Sequence, residues 1–152
     1  MSLEDTIVGL IGGFLISLVT FYVGMQIQQR KERKQALREH IRKFFPILRE
    51  LTDDLSYAIS IKLRSERDLE SFDDLAKKIS SKFEFFEGTY STFRNSGLEP
   101  ELESTDQKTA NELKGLFTSW KMEGPSTLKD KVDQYYSKVI VCKNLVEGYL
   151  KG

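Results

Sequence analysis

One histidine and one cysteine bound the side-chain chemistry this chain can perform. His40 lies between Glu39 and Ile41, with no neighbour in sequence that would orient it as a general base, so it is read as a solvated helix-surface residue. Cys142 falls on an apolar row, where a thiol packs into a core and stays protonated rather than becoming a nucleophile. Structural zinc takes several Cys and His ligands, and one of each cannot supply them. Carboxylates group at Glu50, Asp53 and Asp54, and again at Glu66, Asp68, Glu70, Asp73 and Asp74. A helical di-iron centre would need Glu-x-x-His pairs, which the sequence lacks. These acids are therefore expected on solvated faces and at helix caps. There is no Walker loop, no GxGxxG stretch and no GxSxG elbow. No metal, no cofactor and no enzymatic activity are expected.

What remains is charge, and its placement matters more than its sum. Lys plus Arg and Asp plus Glu balance at 23 each. Residues 1–29 hold no basic side chain and only two acids, Glu4 and Asp5. Residues 30–43 then hold seven basic residues (Arg30, Lys31, Arg33, Lys34, Arg38, Arg42, Lys43) against Glu32 and Glu39. From residue 44 onward the balance is mildly acidic, 16 basic against 19 acidic. Such a basic stretch suits anionic lipid headgroups and sets membrane topology. Nucleic acid is not expected as a partner, because no aromatic residues interleave the cations.

The element preceding that stretch explains it. Thr6 to Gln29 is a run of 24 residues without a formal charge. As a helix rising about 1.5 Å per residue, it reaches roughly 36 Å, enough for a hydrocarbon core of about 30 Å. Lipid offers no partner to free backbone groups, so a spanning segment must be helical. The acidic start, the long apolar run and the absence of an Ala-x-Ala pattern after Tyr22 predict an uncleaved signal-anchor rather than a cleaved leader. Cations flanking a span resist translocation. The expectation is a single-pass protein of the cell membrane, with residues 1–5 outside, 6–29 spanning, 30–43 a basic juxtamembrane helix and 44–152 cytoplasmic. Gly9, Gly13 and Ser17, four residues apart, predict a strip for helix packing in the span.

Beyond it the apolar residues follow helical spacing. One row is Leu37, Ile41, Phe44, Leu48, Leu51, Leu55 and Ala58, flanked by Ile59 and Leu63. Pro46 inside it removes a backbone donor and predicts a kink or a break. A second row runs Phe72, Leu75, Ile79, Phe83, Phe86, Tyr90 and Phe93, opened by Ser71 with Asp74 and closed at Gly97. A third, opened by Pro100 or by Ser104 with Gln107, carries Ala110, Leu113, Phe117 and Trp120 and ends at Gly124-Pro125. The last is Leu128, Val132, Tyr135, Val139, Cys142, Val146 and Tyr149. No stretch alternates like a strand. The predicted class is all-α: one transmembrane helix, then an antiparallel bundle of about four helices with coiled-coil-like seams. Phe45 and Phe85 lie beside their rows and are expected to serve partner docking. The functional expectation is a non-catalytic interaction protein, an accessory subunit or a self-assembling scaffold, whose partners are the bilayer and another protein or a second copy. The alternative is a sensory or regulatory bundle binding a small ligand.

Overall fold

A computed structural model describes residues 2–62 and 69–152, the side chains of 69–71 excepted. The chain divides into two units, Met1–Ala36 and Leu37–Gly152. Among the described residues the protein is all-helical, with α1 (Leu3–Lys62), α2 (Leu69–Asn95), α3 (Glu99–Thr105), α4 (Gln107–Glu123) and α5 (Leu128–Lys151). A 3-10 turn, Pro125–Thr127, joins the last two.

In the first unit α1 begins at Leu3, earlier than the apolar run suggested. Ser2 caps it: its Oγ accepts from the Asp5 amide at 3.3 Å and donates to Asp5 Oδ2 at 2.9 Å, closing one of the orphan amides of the first turn. This is the helix long and apolar enough to cross a membrane, and none of its most apolar stretch is covered by the rest of the protein.

The second unit contains the core. Every residue of the first row from Leu37 to Ala58 is buried, and so are Phe72, Ile79, Phe83, Phe86, Tyr90 and Phe93 of the second. Leu75 and Ile59 are only half-buried, and Leu63 lies outside the described residues. α1 runs through Pro46 without a break. The apolar row keeps its phase there, so packing on both sides of the proline holds the helix together despite the lost donor.

Aromatic rings tie the helices to one another. Phe44 of α1 meets Phe86, Tyr90 and Phe93 of α2 with ring centres 5.6 to 6.3 Å apart. Phe83 stacks on Trp120 of α4 at 4.3 Å and tilts against Tyr135 of α5 at 5.3 Å. Tyr90 stacks on Phe117 at 4.6 Å. Polar contacts set the register at the rim. Asp54 of α1 pairs with Lys82 and, at 3.9 Å, with Lys78 of α2. Asp73 of α2 pairs with Lys129 of α5 at 2.7 Å. Glu123 accepts from Lys131 and from the Tyr135 hydroxyl, each at 2.8 Å. Arg38 donates to the Leu150 carbonyl and Lys62 to the Lys129 carbonyl, so residue numbers climb along α1 as they fall along α5.

Two junctions differ from the sequence expectation. The region between Gly97 and Gly124 holds two helices, not one. Asp106 separates them and caps α4, its carboxylate accepting from the Thr109 amide at 3.1 Å and from the Thr109 hydroxyl at 2.7 Å. Neither Ser104 nor Gln107 performs that role; Pro100 instead opens the seven-residue α3. α2 begins at Leu69, before the expected Ser71 cap, whose side chain lies outside the described residues. The two glycine ends hold: Gly97 and Gly124 have φ of 78° and 68°, a region where a Cβ is strained.

The stack of Phe83 on Trp120 makes a measurable claim. Phe83→Ala removes a fully buried ring and should destabilise the folded protein by about 3–5 kcal/mol. Thermal unfolding of the detergent-solubilised chain, followed by near-ultraviolet circular dichroism, checks it.

Candidate docking surface

The lone cysteine and the lone histidine both belong to the second unit. Cys142 is fully buried on α5, its Sγ donating to the Glu112 carbonyl of α4 at 3.3 Å. Burial, with the charge of Glu112 nearby, pushes its thiol up to about 12. His40 is half-buried, its ring 5.9 Å from that of Phe93. Burial and the neighbouring Lys43 hold it below the ordinary histidine range, with Glu39 opposing them. Glu50 and Asp54 share Lys82, and Asp73 takes Lys129. Glu66 and Asp68, and the side chain of Glu70, lie outside the described residues. Among the described residues no group of three or more His, Cys, Asp or Glu could hold a metal.

The surface offers more. Phe85 on α2 is 66% exposed, whereas Phe83 and Phe86 on either side of it are fully buried. The core row occupies one side of α2, and Phe85 belongs to a second row on the opposite side: Ser81, Phe85, Gly88 and Thr92, spaced four, three and four residues. None of these is charged. Their hydroxyls are turned back onto the helix. Ser81 donates to the Lys77 carbonyl at 3.1 Å and Thr92 to the Gly88 carbonyl at 3.0 Å, and the adjacent Thr89 donates to the Phe85 carbonyl at 2.9 Å. A hydroxyl turned in this way has its proton already placed within the helix. Above Gly88 there is open space, with no atom within 4 Å of where a Cβ would stand. Along this row α2 shows one exposed ring beside a low, uncharged strip, with exposed Lys77, Lys78 and Glu84 at its margins.

Phe85 also forms one wall of a surface groove of about 340 Å³ between α2 and α1, with Pro46 and Ile47 opposite and Lys78 and Lys82 along its edge. Two of the residues singled out from sequence, Pro46 and Phe85, therefore meet in one groove. Phe45 does not join them; it is half-buried and outside the groove walls. A second groove, of about 570 Å³, lies over Gly115, Thr118 and Met122 of α4. Sequence reading missed it, although Met122 at 82% exposed is an isolated apolar residue out of phase with its row.

In the first unit Gly9 and Gly13 have nothing within 4 Å of an added Cβ, and Ser17 donates to the Gly13 carbonyl at 3.0 Å. The strip is open along its length. Arg30, Lys31, Arg33 and Lys34 are all exposed. In the second unit Arg42 and Lys43 are exposed, and Arg38 is committed to the end of α5.

Two outcomes follow from these placements. Phe85→Ser should leave the unfolding midpoint almost unchanged, within about 0.5 kcal/mol, since most of the ring is exposed; the thermal scan that detects Phe83→Ala checks it. Cys142 should resist a maleimide at neutral pH. Its thiolate fraction is roughly a thousandfold below that of an ordinary thiol, and burial blocks the reagent as well. Labelling followed by mass spectrometry should show modification only after denaturation.

No protein-family model matches this chain, and no curated protein or solved structure is significantly similar to it, so the functional reading rests on its own residues.

Proposed function

We propose that this chain is a single-pass membrane protein whose apolar N-terminal helix anchors a non-catalytic docking module. In this reading residues 6–29 cross the cell membrane, residues 1–5 lie outside, and residues 37–152 form an antiparallel helical bundle in the cytoplasm. The module presents a weakly polar helix face to a protein partner, as an accessory subunit of a membrane complex or as a scaffold that binds its own copies. The observation that carries the reading is the uncovered state of the apolar helix. Leu10, Phe14, Ile16, Val19 and Phe21 each expose more than 60% of their surface, whereas an apolar helix serving as the core of a water-soluble domain would be covered. A bilayer supplies the missing cover.

Direction rests on charge. Lys and Arg next to a span stay on the cytoplasmic side, and the basic residues here follow the apolar run. A docking role for the bundle is supported by the Ser81-to-Thr92 face and its exposed ring. The ligand-binding alternative needs enclosed space between the helices; the stacking of Phe83 on Trp120 and of Tyr90 on Phe117 favours the docking reading over it.

The chain is expected to remain in the pellet when membranes are washed with alkaline carbonate and to need detergent for release. Protease added outside sealed cells should leave residues 37–152 intact and digest them once the cells are opened. Release by carbonate would overturn the anchor, and digestion in sealed cells would overturn the direction. Crosslinking in native membranes should then attach a second chain through lysines near the groove, Lys78 and Lys82, and Phe85→Ser should weaken that product several-fold.

A further inference from the structure

We propose that the exit of the apolar helix carries a binding site for anionic phospholipid, with Arg30, Lys31 and Lys34 holding the headgroup phosphate and Arg33 at their flank. The inference rests on the anchor reading and adds a lipid class to it.

The first argument is placement around the helix. At about 3.6 residues per turn, Arg30 and Lys34 stand one above the other, and Lys31 and Arg33 flank them within the same half of the circumference. Glu32, the one acid in this stretch, points to the opposite half. There its carboxylate accepts from the Gln28 amide nitrogen at 3.3 Å. Setting topology requires only a number of cations near the span. Sorting them onto one side, with the local acid turned away, makes a site.

The second argument is counter-charge. Several lysines of the second unit find carboxylates: Lys82 with Asp54, Lys129 with Asp73, Lys131 with Glu123 and Lys151 with Glu147. Among the described residues Arg30, Lys31 and Lys34 have no ion pair, and all three are exposed. Among the described residues no carboxylate neutralises this trio.

The third argument selects the ligand. On the same unit, directly before the cations, stands the uncovered apolar surface of Val23, Met25 and Ile27. A free phosphate or an acidic peptide would satisfy the cations and leave that surface in water. A phospholipid places acyl chains along the apolar helix and its phosphate at Arg30 and Lys34 together. An anionic headgroup adds a further charge for Lys31.

The test uses the full chain in two sets of vesicles, phosphatidylcholine alone and phosphatidylcholine with roughly one-third phosphatidylserine. Retention after carbonate washing is scored first, and loss at that step marks failure of the anchor reading. On retained protein, Lys31 and Lys34 are acylated with a water-soluble amine reagent and quantified by mass spectrometry against exposed Lys121. Phosphatidylserine should slow labelling of the pair about fivefold, equivalent to about 1 kcal/mol, the interaction of one cation with an anionic surface. Salt at about 1 M, where screening acts over roughly 3 Å, should remove the difference. Replacing Arg30→Gln alone leaves both reporters in place and should reduce the protection to about twofold. Equal labelling in both vesicle types overturns the proposal. So does equal protection by inorganic phosphate on phosphatidylcholine vesicles, which would assign the site to free phosphate.

Discussion

An apolar helix with nothing of its own protein around it is the constraint from which the rest follows. Its backbone groups are paired internally, so the helix meets the one requirement lipid imposes on a spanning segment. Its side chains, however, have no cover within the fold. Burying such side chains is worth about 1.5–3 kcal/mol each, so leaving the row in water would set a penalty comparable to the whole stability of a small domain. In the membrane reading, the basic stretch and the proposed lipid site both follow from finding that cover outside the chain.

The second unit meets the same physics by the opposite route, covering its apolar rows with one another. Its centre is unusually aromatic. Phe44, Phe83, Phe86, Tyr90, Phe93, Phe117, Trp120 and Tyr135 are all buried, and planar rings in offset or edge contact add about 0.5–1.5 kcal/mol per pair beyond the area they hide. The polar handles of these rings are met rather than abandoned. Tyr135 gives its hydroxyl to Glu123 and Tyr90 gives its own to Glu99. Burial together with these carboxylates holds both phenols well above the ordinary tyrosine range, so neither titrates near neutrality. Rings packed in this way favour a single arrangement of the core.

Much of this was legible in the residue order, for a physical reason. Apolar residues three and four apart must share a helix face, so the core rows through Leu37 to Ala58 and Leu128 to Val146 could be read directly. Junctions were harder. The break at Asp106 depends on one carboxylate reaching the Thr109 amide, inside a polar stretch with no apolar rhythm to interrupt. Ser2 was passed over because the cap precedes the apolar run it serves. Of the docking candidates, Phe85 could be singled out because it stands beside its row. The strip around it could not, since the inward turn of the Ser81 and Thr92 hydroxyls is a rotamer choice that residue identity leaves open. Phe45, equally conspicuous in the sequence, is half covered, and the groove beside Phe85 takes its other wall from Pro46 and Ile47 instead.

The bond from Arg38 to the Leu150 carbonyl joins positions 112 residues apart. Synthesis proceeds from the N-terminus, so α5 leaves the ribosome long after the first helix has emerged. The central rings of Phe83 and Trp120 stay incompletely enclosed until Tyr135 arrives, and the seam between α1 and α5 closes later still. Under the membrane reading, insertion of the anchor therefore precedes completion of the domain. The half-made core, with its aromatic side chains uncovered, would wait beside a lipid surface ready to receive them. A chaperone that shields apolar segments during this interval would act on α2 and α4 more than on the anchor.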